Sequence, residues 1–373
     1  EIPLLASGKL RPEGLQHLGA GERAWGVNMG ISESVRHHWL RPHLKEAKNL
    51  LRFDRFMELC LYDEANGYYA RNISSVGKGG DFSTTPSLSP LLADSLARSI
   101  LDSGLRDVIE IGPGAGDLAC RLLRKLRPPS LSFRKRIRYH LVERSNPLQR
   151  LLKKRIGRSA KFHPEMKSAL RASGGSAFVI SNELVDAFPV RVFRGTQEAI
   201  HELFLSPEDD GLIEKWLPAD DLPDSKQFDL SRDSEQRLEV HHSYQKWLKH
   251  WLPSFKSGRL VTIDYGGTGA EIYHRKPQGT LRAYYHHECL TGSDIYRLAG
   301  RQDLTADVNF EDLIHWGQQS GLSTKSLMTQ HDYCRSQQDC ATATPETQFV
   351  TDPVGAGHAF KILDQERPKS ALS

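Results

Sequence analysis

Val108-Ile109-Glu110-Ile111-Gly112-Pro113-Gly114-Ala115-Gly116-Asp117-Leu118 is the stretch that decides how this chain is read. An apolar run of strand character ends in a turn with glycine at every second position, and a helical pattern begins at Asp117. Glycines in such a turn adopt backbone angles closed to other residues and let a ligand approach the main chain. A side chain at Gly112 is therefore expected to fill the ligand's space. The helix behind the turn offers unpaired N–H groups and the positive end of its dipole, a seat for a carboxylate as readily as for a phosphate. A dinucleotide fingerprint, GxGxxG, would need its third glycine at position 117, where this chain has Asp117, so the spacing argues against a dinucleotide.

Working outward, short apolar runs alternate with helical patterns. Residues 107–111, 137–143, 177–181 and 259–264 read as strands, and 117–126 and 146–156 as helices. Residues 324–328 and 358–363 suggest a closing hairpin. The expected fold class is α/β, a Rossmann-like parallel sheet with helical crossovers. Its core is expected over 106–205 and 259–363, preceded by a loose arm (1–34) and an N-terminal helical segment (35–105). The latter carries Leu40, Leu44, Phe53, Phe56, Met57 and Cys60 at helical spacing, then an aromatic turn, Asn66-Gly67-Tyr68-Tyr69. Residues 206–258 read as an inserted helical subdomain, with Trp247 and Trp251 packing its own core, and 364–373 as a tail. Glu143 closes the second strand, where an acid can accept both ribose hydroxyls of a nucleoside. It comes later than the usual interval because residues 127–136 lengthen the connection.

Composition narrows the field. The 373 residues are 26% charged and 38% hydrophobic, with a net charge of +4, too small an excess to argue for nucleic acid or an anionic membrane. The basic run between Arg121 and Arg138 reads as a solvated helix face and the loop after it. No apolar run is long enough to span a bilayer. Cys60, Cys120, Cys289, Cys334 and Cys340 are odd in number and form no CxxC pair, which argues against a disulfide framework and a zinc site and for a reducing compartment. His286, His287 and Cys289 lie close together, yet adjacent histidines of a strand point to opposite faces, so no metal is expected.

The GxGxG spacing, led by Glu110, resembles the first motif of class I methyltransferases. That resemblance gives Glu110 the role of helping to hold the ammonium group of S-adenosylmethionine, with Gly112, Gly114, Gly116 and Glu143 completing the donor site. Over residues 53–363 the chain also resembles the MidA-like methyltransferases, a family that includes protein-arginine methyltransferases of respiratory complex I assembly. The segments RFMELCLYDEANGYYA, GDFSTTPSLSP, IEIGPGAGDL, SNELVDAFPV, VTIDYG, QGTLRAYYHH, QDLTADVNFEDL and DPVGAGHAFKIL appear in family order. The resemblance implies that Asp81, Phe82 and Thr84 form part of the donor and acceptor mouth. It also implies that Asn182, Glu183 and Asp186 lie beside the transferred methyl group. Three departures stand out: Asp307 where relatives commonly carry histidine, Ala115 where a larger polar residue is common, and a loosened TDPVGAGHAF.

The residues from Ser181 to Pro189 point the same way without the resemblance. A strand delivers Asn182, Glu183 and Asp186 to the sheet edge, where ligands bind in open α/β folds. Glu183 and Asp186 share a face if a helical turn begins there, and the alternative is simple capping, with Asn182 as N-cap. A guanidinium is a poor nucleophile because its pKa exceeds about 12. Two carboxylates can fork onto it and aim one nitrogen at the methyl. Asp264 and Tyr265 are expected to complete the wall, with Tyr284 and His287 on the acceptor side. The expected activity is methylation of an arginine in a protein, such as a complex I subunit. The alternatives are a small-molecule or other protein acceptor, or a donor-binding assembly protein with little turnover. The compartment follows the source: cytoplasm for a bacterial chain, mitochondrial matrix for a eukaryotic one. The oligomeric state is open, a homodimer included.

Overall fold

The computed structural model describes residues 38–72, 90–127, 136–196, 199–209, 211–230, 235–285, 288–337, 352 and 355–369. Its central sheet contains β1 (Asp107–Ile111), β2 (Arg138–Val142), β3 (Lys161–His163), β4 (Ser176–Asn182), β5 (Ser257–Gly267), β6 (Ser323–Thr329) and β7 (Phe360–Arg367). They lie in the order β6-β7-β5-β4-β1-β2-β3, and Val308–Asn309 adds a short parallel strand at the end of β5. The five strands β1 to β5 pair in parallel, whereas β7 runs antiparallel to both β5 and β6. The order 3-2-1-4-5 reverses between β1 and β4, and a crevice outside the carboxyl ends of these two strands is where such sheets bind ligands.

Alternation within the strands explains the layers. Every residue of β1 is buried, because helices cover both faces. Val108, Phe178 and Ile180 face α2 (Leu91–Asp102), α3 (Asp117–Lys125) and α4 (Asn146–Ile156), with α1 (Phe53–Tyr62) standing apart from them. Ile109 and Val179 face α5 (His242–Trp251) and α6 (Phe310–Gln319). Ser145 caps α4 by accepting the Leu148 N–H, and Asn309 caps α6 through the N–H groups of Glu311 and Asp312.

The stretch 206–258, expected as a helical subdomain, corrects the sequence reading. A second, antiparallel sheet is formed by Leu51–Arg52, Arg191–Gly195, Ile200–Glu208, Gly211–Pro218 and Arg237–Val240. The Gly211–Pro218 strand is half-exposed along most of its length, so no clean alternation announces it. Nor do the two tryptophans pack a separate core. Helix α5 lies between the second sheet and β5 in the chain, and Trp251 packs under the central sheet beside Val179, Leu260 and Trp316. The second sheet packs instead on α1, through Phe53, Phe56 and Met57 against Val192, Leu203 and Leu205. Leu51, expected in a helix, pairs with Leu205 as an edge strand. Among the described residues no helix is long and apolar enough to cross a membrane.

Arg191 joins two strands of the second sheet from within. Its Nε and Nη2 donate to the two carboxylate oxygens of Glu202, each at 2.6 Å, and Nη1 reaches Asp221 at 3.0 Å. Both Arg191 and Glu202 are buried. Arg191→Ala would leave the Glu202 charge buried without its bidentate partner, at a cost of about 3–5 kcal/mol. Urea denaturation followed by circular dichroism is expected to show that loss in midpoint; an unchanged midpoint would contradict this account of the pair.

Candidate active site

A cavity of about 1130 Å³ opens at the reversal point of the sheet. On one side the glycine turn follows β1. Gly112, Gly114 and Gly116 all take positive φ, at 61°, 53° and 84°. A Cβ at Gly114 would meet nothing within 4 Å, so this residue presents bare backbone to open space. The expectation for Gly112 needs correction: its Cβ would lie 2.7 Å from Leu184 Cδ1, so close packing against the β4 turn, rather than ligand volume, excludes a side chain. The turn is held from behind by Arg155 of α4, which donates to the Ala115 carbonyl at 2.8 Å and to Asp117 at 2.5 Å. Gly116 caps α3 without a side chain, and Ala115, Asp117 and Leu118 line the cavity.

Two carboxylates flank this turn. Glu110, penultimate in β1, accepts the Tyr139 hydroxyl at 2.5 Å, and burial pushes it up to about 7. Glu143 follows β2, accepts the Ser145 N–H at 2.7 Å, and is likewise pushed up by burial to about 7. Both line the cavity.

Across from them, β4 ends at Asn182 and the chain turns sharply. Glu183 has φ 50°, an uncommon and strained region for a residue with a side chain. Its N–H still bonds the Ile263 carbonyl at 2.9 Å, so the sheet ladder ends on it. Val185–Ala187 then form one 3-10 turn. Glu183 lies outside that turn, so it and Asp186 do not share a helical face, yet both line the cavity. Asn182 is not a cap; its amide donates to Glu183 Oε1 at 3.2 Å.

The capping is done by Asp264 of β5. Its Oδ2 accepts the N–H groups of Leu184, Val185 and Asp186 at 3.2, 2.9 and 3.4 Å, and its Oδ1 accepts the Tyr265 N–H at 3.0 Å. Burial and the neighbouring charges of Asp186 and Glu183 push Asp264 well above the usual carboxylate range. Asp264, expected to complete the wall, lies buried behind it instead. Tyr265 is also buried behind the wall, where its hydroxyl donates to Asp186 Oδ2. Tyr284 is buried farther back and accepts from Arg282 Nε at 2.8 Å. Neither tyrosine lines the cavity as the sequence reading expected. Asp81, Phe82, Thr84 and His287 lie outside the described residues.

The cavity also has walls that the sequence reading missed. Tyr62 and Tyr69 stack at 5.5 Å between ring centroids, Tyr62 donates to the Ala187 carbonyl, and Tyr69 to Asp303 Oδ1. Asp54 and Glu58 of α1, Phe188, and Trp247 of α5 also line it. The string LYDEANGYYA carried the tyrosine signal; nothing in the sequence brings α5 to this place, since only the crossover from β4 to β5 does.

Comparison with known proteins gives this geometry a family. The profile described as "Putative S-adenosyl-L-methionine-dependent methyltransferase" matches residues 92–328, well over half of the chain. A solved superfamily member from Burkholderia thailandensis, bound to S-adenosyl-homocysteine, is similar over 91% of this chain and 94% of its own, with a TM-score of 0.76 and 24% identity. The native structure of an uncharacterized protein of that superfamily, from the same organism, covers 91% and 93% with a TM-score of 0.72 and 24% identity. At that identity the likeness speaks for the fold. No curated protein matches the chain. On the profile match, the chain belongs to this family of S-adenosyl-L-methionine-dependent methyltransferases, the MidA-like enzymes that its sequence segments resemble.

Proposed function

We propose that the chain is a protein-arginine N-methyltransferase, with an arginine of a respiratory complex I-type subunit as its acceptor class. The observation that carries this reading is the composition of the cavity wall. Among the described residues ten carboxylates line it against five Lys and Arg side chains, with Glu183 before and Asp186 within the turn at its centre. Such a wall favours a cationic acceptor over a neutral or anionic one.

The residues present fit the methyl donor. The bare backbone at Gly114 would let it lie against the turn, and Glu143 would accept its ribose hydroxyls. Glu110 keeps one oxygen on Tyr139 and would offer the other to an ammonium group. The volume exceeds what a single drug-sized ligand needs, leaving room for an acceptor side chain. When bound, S-adenosylmethionine supplies a methyl group on a sulfonium, activated for in-line displacement. The protein's part is to orient the nucleophile and shape the field around it. Glu183 and Asp186 would grip two edges of the guanidinium, draw its positive charge away from the third nitrogen, and turn that nitrogen toward the donor side. The proton released on methylation passes to one of the two carboxylates.

Three outcomes are expected. Incubation of the wild type with tritiated S-adenosylmethionine and an arginine-containing protein extract yields methylarginine on acid hydrolysis, and Glu183→Gln yields none. Label in another residue or in small molecules would refute the arginine reading. Asp186→Asn lowers kcat by about 100-fold or more, the loss of a charge-assisted contact at the reacting group, while the Kd for S-adenosylhomocysteine stays within about threefold. Equal loss in both would move Asp186 into the donor site. Because Glu110 and Glu143 stand near 7, each must lose a proton before it holds a cation or a hydroxyl pair. Donor affinity therefore rises with pH and levels off above about pH 7, and below it falls by up to about tenfold per pH unit for each group that must ionise. Calorimetric titration from pH 5.5 to 8 checks this, and Glu143→Gln should flatten the lower limb.

A further inference from the structure

Behind the wall that carries Asp186 lies a charged assembly, centred on the buried Asp307, that the reaction as described does not use. Arg282, on a strand outside the central sheet, points its guanidinium at the face of the Tyr265 ring, with Cζ 4.8 Å from the centroid. The same guanidinium pairs with Asp307 at 2.7 Å, and Lys276 holds the other oxygen of Asp307 at 2.8 Å. Tyr265 in turn donates its hydroxyl to Asp186 Oδ2. Main chain closes the arrangement: the Ala306 N–H bonds the Asp186 carbonyl at 3.1 Å, so the strand end that presents Asp307 also grips the catalytic turn.

A buried ion pair is weak evidence for stability, since an apolar pair of the same volume often does as well. What an apolar pair would not do is place a cation on the face of a phenol. A cation there draws electron density from the ring and makes the hydroxyl a stronger donor. That hydroxyl grips one oxygen of Asp186 and limits the rotation of its side chain, whose neighbours Val185 and Ala187 pack the one-turn helix into the core.

We propose that Tyr265 and Arg282 are positioning residues for methyl transfer: Arg282, anchored by Asp307, braces Tyr265, and Tyr265 fixes the carboxylate of Asp186 at the cavity wall. Neither touches the acceptor. The inference rests on the reading of Asp186 as an acceptor-side carboxylate, and the two fail apart, because wild-type product analysis decides the acceptor and the variants below decide the brace.

The test uses the full chain crystallised with S-adenosylhomocysteine, together with initial rates on a pool of arginine-containing peptides. Tyr265→Phe removes one oxygen and keeps the ring, so the fold is retained. It should release Asp186 from its wild-type rotamer and lower kcat by about 10- to 100-fold, the value of one hydrogen bond to a charged group, with donor Kd within about twofold. Arg282→Met should lower kcat as well, but cost no more than about twofold further when made in the Tyr265→Phe background, since it acts through the hydroxyl already removed. If Arg282→Met fails to fold alone, Arg282→Met with Asp307→Leu removes both charges of the pair and serves in its place. An Asp186 carboxylate unmoved in Tyr265→Phe, or independent multiplicative losses in the double variant, would overturn the proposal.

Discussion

One buried carboxylate holds the active-site turn in place. Asp264 collects four backbone N–H groups, three from Leu184 to Asp186 and its own neighbour's at Tyr265. Those N–H groups sit where β4 stops and the chain must bend away from the sheet, and buried donors left unpaired there would each cost about 1–3 kcal/mol. With Asp264 present the bend is made in one short turn, Glu183 takes its left-handed conformation, and Leu184 packs against Gly112. The glycine turn and the carboxylate turn are thereby set at a fixed distance. The site is a consequence of two adjacent parallel strands whose ends are tied by a third.

The cavity is built from two bodies of structure. The central sheet supplies the glycine turn, Glu143 and the turn after β4, while α1 and the second sheet bring Asp54, Glu58, Tyr62 and Tyr69 to the opposite side. The stacked pair Tyr62 and Tyr69 spans the join, with hydrogen bonds to Ala187 and to Asp303. On the function proposed above, donor recognition would belong to the central sheet, and acceptor recognition to residues that come from before and between its strands, which is where one fold acquires a particular substrate.

What the sequence made legible follows the range of the interactions concerned. Strand β1, helix α4 and the glycine turn were read within a residue or two, because an apolar run, a Ser145 cap and glycine spacing are local signals. The clustering of Glu183 and Asp186 was also visible, since they are three residues apart. The role of Asp264 was not, because its partners lie 78 to 80 residues earlier, and an acid at a strand end reads as a wall residue. Tyr265 reads as a wall residue for the same reason, since its partner Asp186 lies 79 residues earlier. The second sheet was missed because its outer strand is half-exposed and its innermost polar contact, Arg191 on Glu202, resembles ordinary surface charge in a string of letters. Trp251 was assigned to a separate core because only the crossover geometry puts α5 beneath the central sheet.

The central claim is that the turn from Gly112 to Gly116, with Glu143, is a seat for S-adenosylmethionine and not for a dinucleotide. Isothermal titration of the intact wild-type chain with S-adenosylmethionine and, in parallel, with NAD tests it most directly. The account expects saturable one-to-one binding of S-adenosylmethionine and no heat of binding from NAD. Binding of NAD, or no binding of S-adenosylmethionine to a folded chain, would contradict it.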